Sequence, residues 1–193
     1  MSIFTTLHHL FLQMESSYYK KKQYLAEVNE HDEIIGKIEK WEAHKKGILH
    51  RAYTAIISFE DKIVLQHRKH PVFDNFLDLS FSSHQIYEKE TLQEGVVAVL
   101  EGLKREWGIS AEEVIEDIKL TKKVYYNAFD DVSGYYDHEV DHIYAVELNR
   151  LPEPNYEFAY GFLTLHKNNL DKLEDPRIQS LLAPWVNVML KKD

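Results

Sequence analysis

One stretch of this chain, Thr91 to Trp107, reads as a sustained helix, and it stands alone between runs that read as strands. Val96, Val97, Leu100, Leu103 and Trp107 recur at helical spacing, which predicts that they line its buried side, and Gly108 ends it. Ahead of it lie β-forming runs at Gln23 to Val28, Ile34 to Glu39, and Arg51 to Phe59 with Ile63 to Gln66; the last two are joined by the turn Glu60-Asp61-Lys62 and read as a hairpin. Lys69 to Phe81 reads as a loop. Behind the helix, Lys119 to Asn127 and Glu139 to Leu148 read as an antiparallel pair, Glu157 to Leu165 as a further strand, and Asn168 to Leu173 and Arg177 to Leu190 as closing helices. Strands, one central helix, strands, then helices predict an α+β domain with a mixed sheet rather than a regular alternation.

At the front, Ile3, Phe4, Leu7, Leu10, Phe11 and Met14 fall at helical spacing, so residues 1–22 read as an amphipathic helical extension, docked on the domain and followed by Lys20, Lys21 and Lys22 as a linker. Residues 23–193 then form the domain proper. With 193 residues, 44% of them apolar, the chain is long enough to bury a full core. A formal net charge of −9 argues against a nucleic-acid surface, because phosphate backbones need a basic field. No apolar run is long enough to span a bilayer. The opening segment lacks the basic lead of a secretory signal, so a cytoplasmic location is expected. The absence of cysteine excludes disulfides and thiolate catalysis.

Four segments carry the residue types that chemistry needs. Lys40 to His44, ending at His50 to Tyr53, places two histidines around the entry to a strand. Ser82-Ser83-His84 follows the hairpin. Lys104 to Ile109 ends the helix, and Asp137 to His142 opens a strand. Residues two apart in a strand share a face, so Asp137 and Glu139 converge. Three histidines and two carboxylates make a nitrogen–oxygen set suited to manganese, zinc or iron rather than calcium.

From Tyr24 to Leu148 the chain resembles a Nudix domain, and within that superfamily the type I isopentenyl-diphosphate isomerases and their close hydrolase relatives. The resemblance rests on the order of Ala43-His44, His50-Arg51-Ala52, Ser83-His84, Asp137-x-Glu139 and Ala183-Pro184-Trp185. It implies a Nudix fold with the sheet between helices, and a metal-dependent enzyme acting on a small-molecule diphosphate, as monomer or homodimer. The implied metal ligands are His44, His50, His84, Asp137 and Glu139, holding manganese, zinc or magnesium. Glu106 would help hold a second magnesium bridging the diphosphate. Glu139 would double as acid/base, Tyr126 would hydrogen-bond beside it, and the face of Trp185 would stabilise a developing carbocation. Lys40 and Arg68 would contact the phosphates.

The departures are equally specific. The isomerase's catalytic cysteine falls on Ser82, whose hydroxyl exchanges protons with carbon far less readily than a thiol. An arginine that holds the diphosphate falls on Gly102. Over Glu101 to Ile109, only Glu106 keeps register with the acids of a Nudix helix, with Glu90, Glu94 and Glu101 as the available substitutes. Three readings follow: an isomerase-like enzyme in which Ser82 relays a proton, a Nudix hydrolase of a nucleotide or isoprenoid diphosphate in which water is the nucleophile, and a non-catalytic diphosphate-binding homologue.

Overall fold

The computed structural model describes residues 17–191. The expected N-terminal helix lies outside them, save that residues 17–20 form a turn. The elements run β1 (Tyr24–Val28), β2 (Ile34–Glu39), α1 (Lys40–Lys46), β3 (His50–Phe59), β4 (Lys62–Arg68), β5 (Leu77–Leu79), β6 (Phe81–Ser83), β7 (Tyr87–Glu88), β8 (Thr91–Leu92), α2 (Gly95–Trp107), β9 (Lys119–Asp130), β10 (Tyr135–Glu147), β11 (Ala159–His166), α3 (Pro176–Gln179) and α4 (Pro184–Leu190). All strands but the short β7–β8 pair belong to one mixed sheet. The expected α+β class is the one observed. Among the described residues no helix is long and apolar enough to cross a membrane.

The centre of the sheet is β3, whose burial over both faces follows from its run of Ala, Tyr, Thr and Ile. It meets β4 only at Ser58↔Ile63 and Phe59↔Lys62, so the expected hairpin is confined to its turn. Along most of its length β3 pairs in parallel with β10, from Glu139↔His50 to Glu147↔Ser58. The β9–β10 pair is antiparallel as expected, with Glu139↔Tyr126 in register. Glu139 therefore has His50 on one neighbouring strand and Tyr126 on the other, and pairing alone brings the three together.

Four sequence expectations fail for physical reasons. The helix begins at Gly95, not Thr91, because Thr91 and Leu92 pair with β7. Its buried face is Ala98, Val99, Gly102, Leu103, Glu106 and Trp107, whereas Val96 and Val97 are 42% and 45% exposed. Small residues decide this: a Cβ on Gly102 would stand 2.4 Å from Tyr53 Oη and 2.5 Å from a Phe81 ring carbon, so this is the side that approaches the sheet closely. The stretch read as a loop from Lys69 contains β5, which pairs with β4. The final helix is two, because Pro184 lacks the amide that a helix interior needs and instead opens α4.

The two larger apolar clusters flank the sheet. One joins α2 to β3 through Tyr53, Phe81, Leu103 and Trp107. The other packs α4, through Trp185, Val186 and Met189, against Leu65, Leu79, Tyr126 and Ile143.

Candidate functional site

The second cluster borders the site. Helix α1 supplies its first histidine. Glu39 caps the helix by accepting from the Glu42 amide, and Gly47 closes it in the left-handed region at φ 64°. Seven residues are too few to stand alone, so α1 depends on its packing, which buries Lys40, Ala43 and His44.

His44, His50, His84 and Glu139 each offer a ligand atom within 4.8 Å of all the others. His44 comes from α1, His50 from the start of β3, His84 from the residue after β6 and Glu139 from β10. The two innermost rings are oriented through backbone carbonyls: His44 Nδ1 lies 3.0 Å from Tyr136 O, and His50 Nδ1 lies 2.7 Å from Ile48 O. A proton on each Nδ1 leaves Nε2 as a lone-pair donor; both Nε2 atoms are buried, that of His44 without a hydrogen-bond partner among the described residues and that of His50 3.2 Å from Glu139 Oε1. Buried polar atoms are seldom left so, and here they converge with a carboxylate. The donor set thus fits a divalent metal of the manganese, iron or zinc type.

Asp137 and Glu106 line the same pocket but stand outside that group of four. Asp137 Oδ1 is 3.1 Å from His44 Nδ1 and makes no hydrogen bond among the described residues. Glu106 is committed elsewhere: it accepts from Arg105 Nη2 at 2.8 Å and from Gln66 Nε2 at 3.5 Å. Glu101 accepts from Gln93 on the outer side of α2, and Glu94 is exposed, so the acids of this helix do not gather.

Around Glu139 the electrostatics are set by neighbours. Burial would raise its carboxyl, but His50 and His84 hold it well below the usual carboxylate range. His84 Nε2 is 3.0 Å from Glu139 Oε1, yet burial dominates that ring and pulls it down to about 3. At His50 burial acts downward too, and Glu139 outweighs it and raises the value. Tyr126 donates its phenolic proton to Glu139 Oε2. Burial, and then the Glu139 charge, push the phenol well above its ordinary value, which keeps it a donor.

Ser82 is an inner link of a polar chain that runs from Asp78 to Asp141. Its hydroxyl contacts Asp78 Oδ2 at 2.9 Å and Thr54 Oγ1 at 2.8 Å, and Thr54 Oγ1 contacts Asp141 Oδ2 at 2.7 Å. Three contacts share two hydroxyl protons, so the third comes from a carboxyl. Asp141 is suited to carry it, because burial and then the nearby Glu139 charge raise it well above the usual range.

Asp78, fully buried, is the hub that sequence reading missed. Besides Ser82 it accepts from Arg68 Nη1 at 2.8 Å, from Trp185 Nε1 at 2.8 Å and from the Leu79 amide at 2.8 Å. Arg68, expected to contact phosphate, also donates to the carbonyls of Phe73 and Val72, and its guanidinium lies 4.8 Å from the Trp185 ring centre. It braces the loop and α4 from inside. Trp185 in turn lies 5.7 Å from the Tyr126 ring. Nothing periodic marks Asp78, which sits in a stretch that reads as loop; its position four residues before Ser82 was the available signal. Lys40, 2% exposed, is held over the rings of Tyr18, Tyr19 and Trp41.

No family model matches the sequence, and no curated protein matches it. Solved structures do. DR0079 from Deinococcus radiodurans is 17% identical over 87% of this chain and 99% of its own, with a TM-score of 0.58. The C. elegans Ap4A hydrolase in a binary complex is 13% identical over 72% of this chain and 96% of its own, with a TM-score of 0.47. The E. coli dihydroneopterin triphosphate pyrophosphohydrolase is 18% identical over 72% and 89%, with a TM-score of 0.46. At such identities the likeness is one of fold alone, and the fold shared is that of DR0079.

Proposed function

We propose that the protein is a metal-dependent enzyme acting on a small diphosphate, with a proton-transfer site of the isopentenyl-diphosphate isomerase type. The observation that carries this reading is the convergence of His44, His50, His84 and Glu139 next to Tyr126 and Trp185. The histidines and Glu139 would hold the ion, with Asp137 within reach of His44. When bound, such an ion would supply positive charge beside Glu139 and toward an anionic substrate.

In this scheme one proton is added to the terminal carbon of a double bond and another is removed from the carbon on the far side of the resulting cation, so the composition is unchanged. Glu139 moves one of these protons, and the phenol of Tyr126 fixes the carboxylate from the opposite side. The indole of Trp185 offers a π-face to the transient positive charge. Ser82 acts as a relay, because its hydroxyl is joined through Thr54 to Asp141 rather than acting as a free acid. Hydrolysis of a diphosphate is the alternative that the fold supports. The scattered carboxylates of α2 weigh against it, since Nudix hydrolysis needs acids gathered on that helix.

Proton and phosphorus NMR of isopentenyl diphosphate with the purified protein, magnesium and manganese in heavy water tests the reading. Allylic product or deuterium uptake is expected, with a gain in rate for Ser82→Cys. Released phosphate alone would establish hydrolysis instead. An unchanged spectrum from metal-loaded protein would remove the isomerase reading.

A further inference from the structure

The turn at residues 17–20 enters the site. Tyr19 is buried, its carbonyl accepts from Trp41 Nε1 at 2.9 Å, and its ring meets His70 at 4.8 Å. Tyr18 lies between two cations. The Arg105 guanidinium is 4.3 Å from its ring centre and the Lys40 ammonium 5.5 Å. Its hydroxyl is hydrogen-bonded by Gln23 and Ser83. Burial alone would raise this phenol, yet it is held below the ordinary tyrosine value because Arg105 and Lys40 both face it. The chain has therefore built a place that favours negative charge on oxygen, and has put a tyrosine hydroxyl in it.

The two cations are only partly satisfied. Arg105 Nη2 donates to Ser83 Oγ at 3.2 Å and to Glu106 Oε1 at 2.8 Å, while its Nε is buried with no hydrogen-bond partner among the described residues. Lys40 has no carboxylate within salt-bridge distance among the described residues, and burial holds its ammonium below the usual range. Inside the turn, beside Lys40, His44 and Glu139, the cavity is about 20 Å³, room for roughly one water. A diphosphate cannot enter unless the turn moves.

We propose that Lys40 and Ser83, which line this pocket, and Arg105, which lines the neighbouring cleft against the Tyr18 ring, form one anion subsite, and that Tyr18 is the built-in lid that a diphosphate displaces. This rests on the reading of the pocket as a diphosphate site, and adds to it a cation, Arg105, and a gate. The charge is arranged for the exchange: Arg105 keeps Glu106 neutralised through Nη2 while Nε is left for a phosphate oxygen, and Ser83 exchanges a phenol partner for a phosphate one. Lys40, close to the metal ligands, would meet the same anion from the α1 side.

The test uses inorganic pyrophosphate as the probe and calorimetric titration of the full chain, once stripped of metal and once loaded with manganese. Arg105→Gln is expected to weaken pyrophosphate binding by about tenfold or more, as loss of a charge-assisted hydrogen bond should. Lys104→Gln, one residue away and exposed, is expected to bind as the wild type does. Tyr18→Ala, which leaves the Arg105–Glu106 pair in place, is expected to bind several-fold more tightly because nothing has to be displaced. Unchanged affinity in a folded Arg105→Gln protein would overturn the subsite, and unchanged affinity in Tyr18→Ala would overturn the lid. Manganese content of the same samples separates the two claims. Metal held normally while Arg105 has no effect would remove only the subsite. Pyrophosphate bound in an Arg105-dependent way by a protein that holds no manganese would keep the subsite and remove the metal-dependent reading.

Discussion

The indole nitrogen of Trp185 donates to Asp78 Oδ1 across 2.8 Å, tying α4 to the strand that precedes Ser82 over a separation of 107 residues. The same carboxylate neutralises the buried Arg68 at 2.8 Å. Asp78→Asn keeps the shape and removes the charge, leaving Arg68 buried without a counter-ion. Removing one partner of such a pair costs about 3–5 kcal/mol. Urea unfolding at neutral pH should show a loss of that order, and a loss below about 1 kcal/mol would mean that Arg68 finds another partner.

The ligand cluster should announce itself thermally. Manganese or zinc added to stripped protein should raise its Tm, since an ion that binds only the folded state stabilises it by about 2.7 kcal/mol at a hundred times its Kd. His50→Ala should abolish the rise. Tyr126→Phe should keep it, because Tyr126 touches Glu139 and not the ion, while lowering turnover of whichever diphosphate is found by about 10- to 100-fold. A Tyr126→Phe protein as active as wild type would detach the phenol from the work of Glu139.

Gly102 faces Tyr53 and Phe81 with no space for a side chain. Both neighbours are fully packed, and Tyr53 is fixed by a 2.8 Å hydrogen bond to the Ala98 carbonyl. Gly102→Ala should therefore destabilise the protein by about 1–3 kcal/mol, despite the better helix propensity of alanine. A gain in thermal stability for Gly102→Ala would show that α2 can lift from the sheet. The same geometry leaves no room for a longer side chain at this position.

His70 sets part of the acid limit. Burial first, then Arg68 and Lys40, hold its ring well below the ordinary histidine value. The unfolded chain takes a proton near pH 6.5 while the folded chain does not. The contribution of His70 is thus complete above that pH and is lost as pH falls below it. His70→Gln should flatten the fall in urea midpoint between about pH 7.5 and 5 relative to wild type. Parallel falls in the two proteins would place the acid sensitivity elsewhere.

The sequence by itself determined much of the local conformation and the residue types of the candidate site. The β-forming run into β3, the stop at Gly108, the alternation that puts Asp137 and Glu139 on one face, and the histidines at 44, 50 and 84 were all legible, because they depend on spacing within one segment. Tertiary structure decided the rest. Which face of α2 is buried depended on how closely Gly102 and Ala98 let it approach the sheet, and a hydrophobic count favoured Val96 and Val97 instead. The parallel pairing of β3 with β10, which sets His50 beside Glu139, joins segments about ninety residues apart and has no local signal. Asp78 and Tyr18 were invisible for the same reason: each takes its meaning from partners that only the closed fold brings within hydrogen-bond or ring-contact distance.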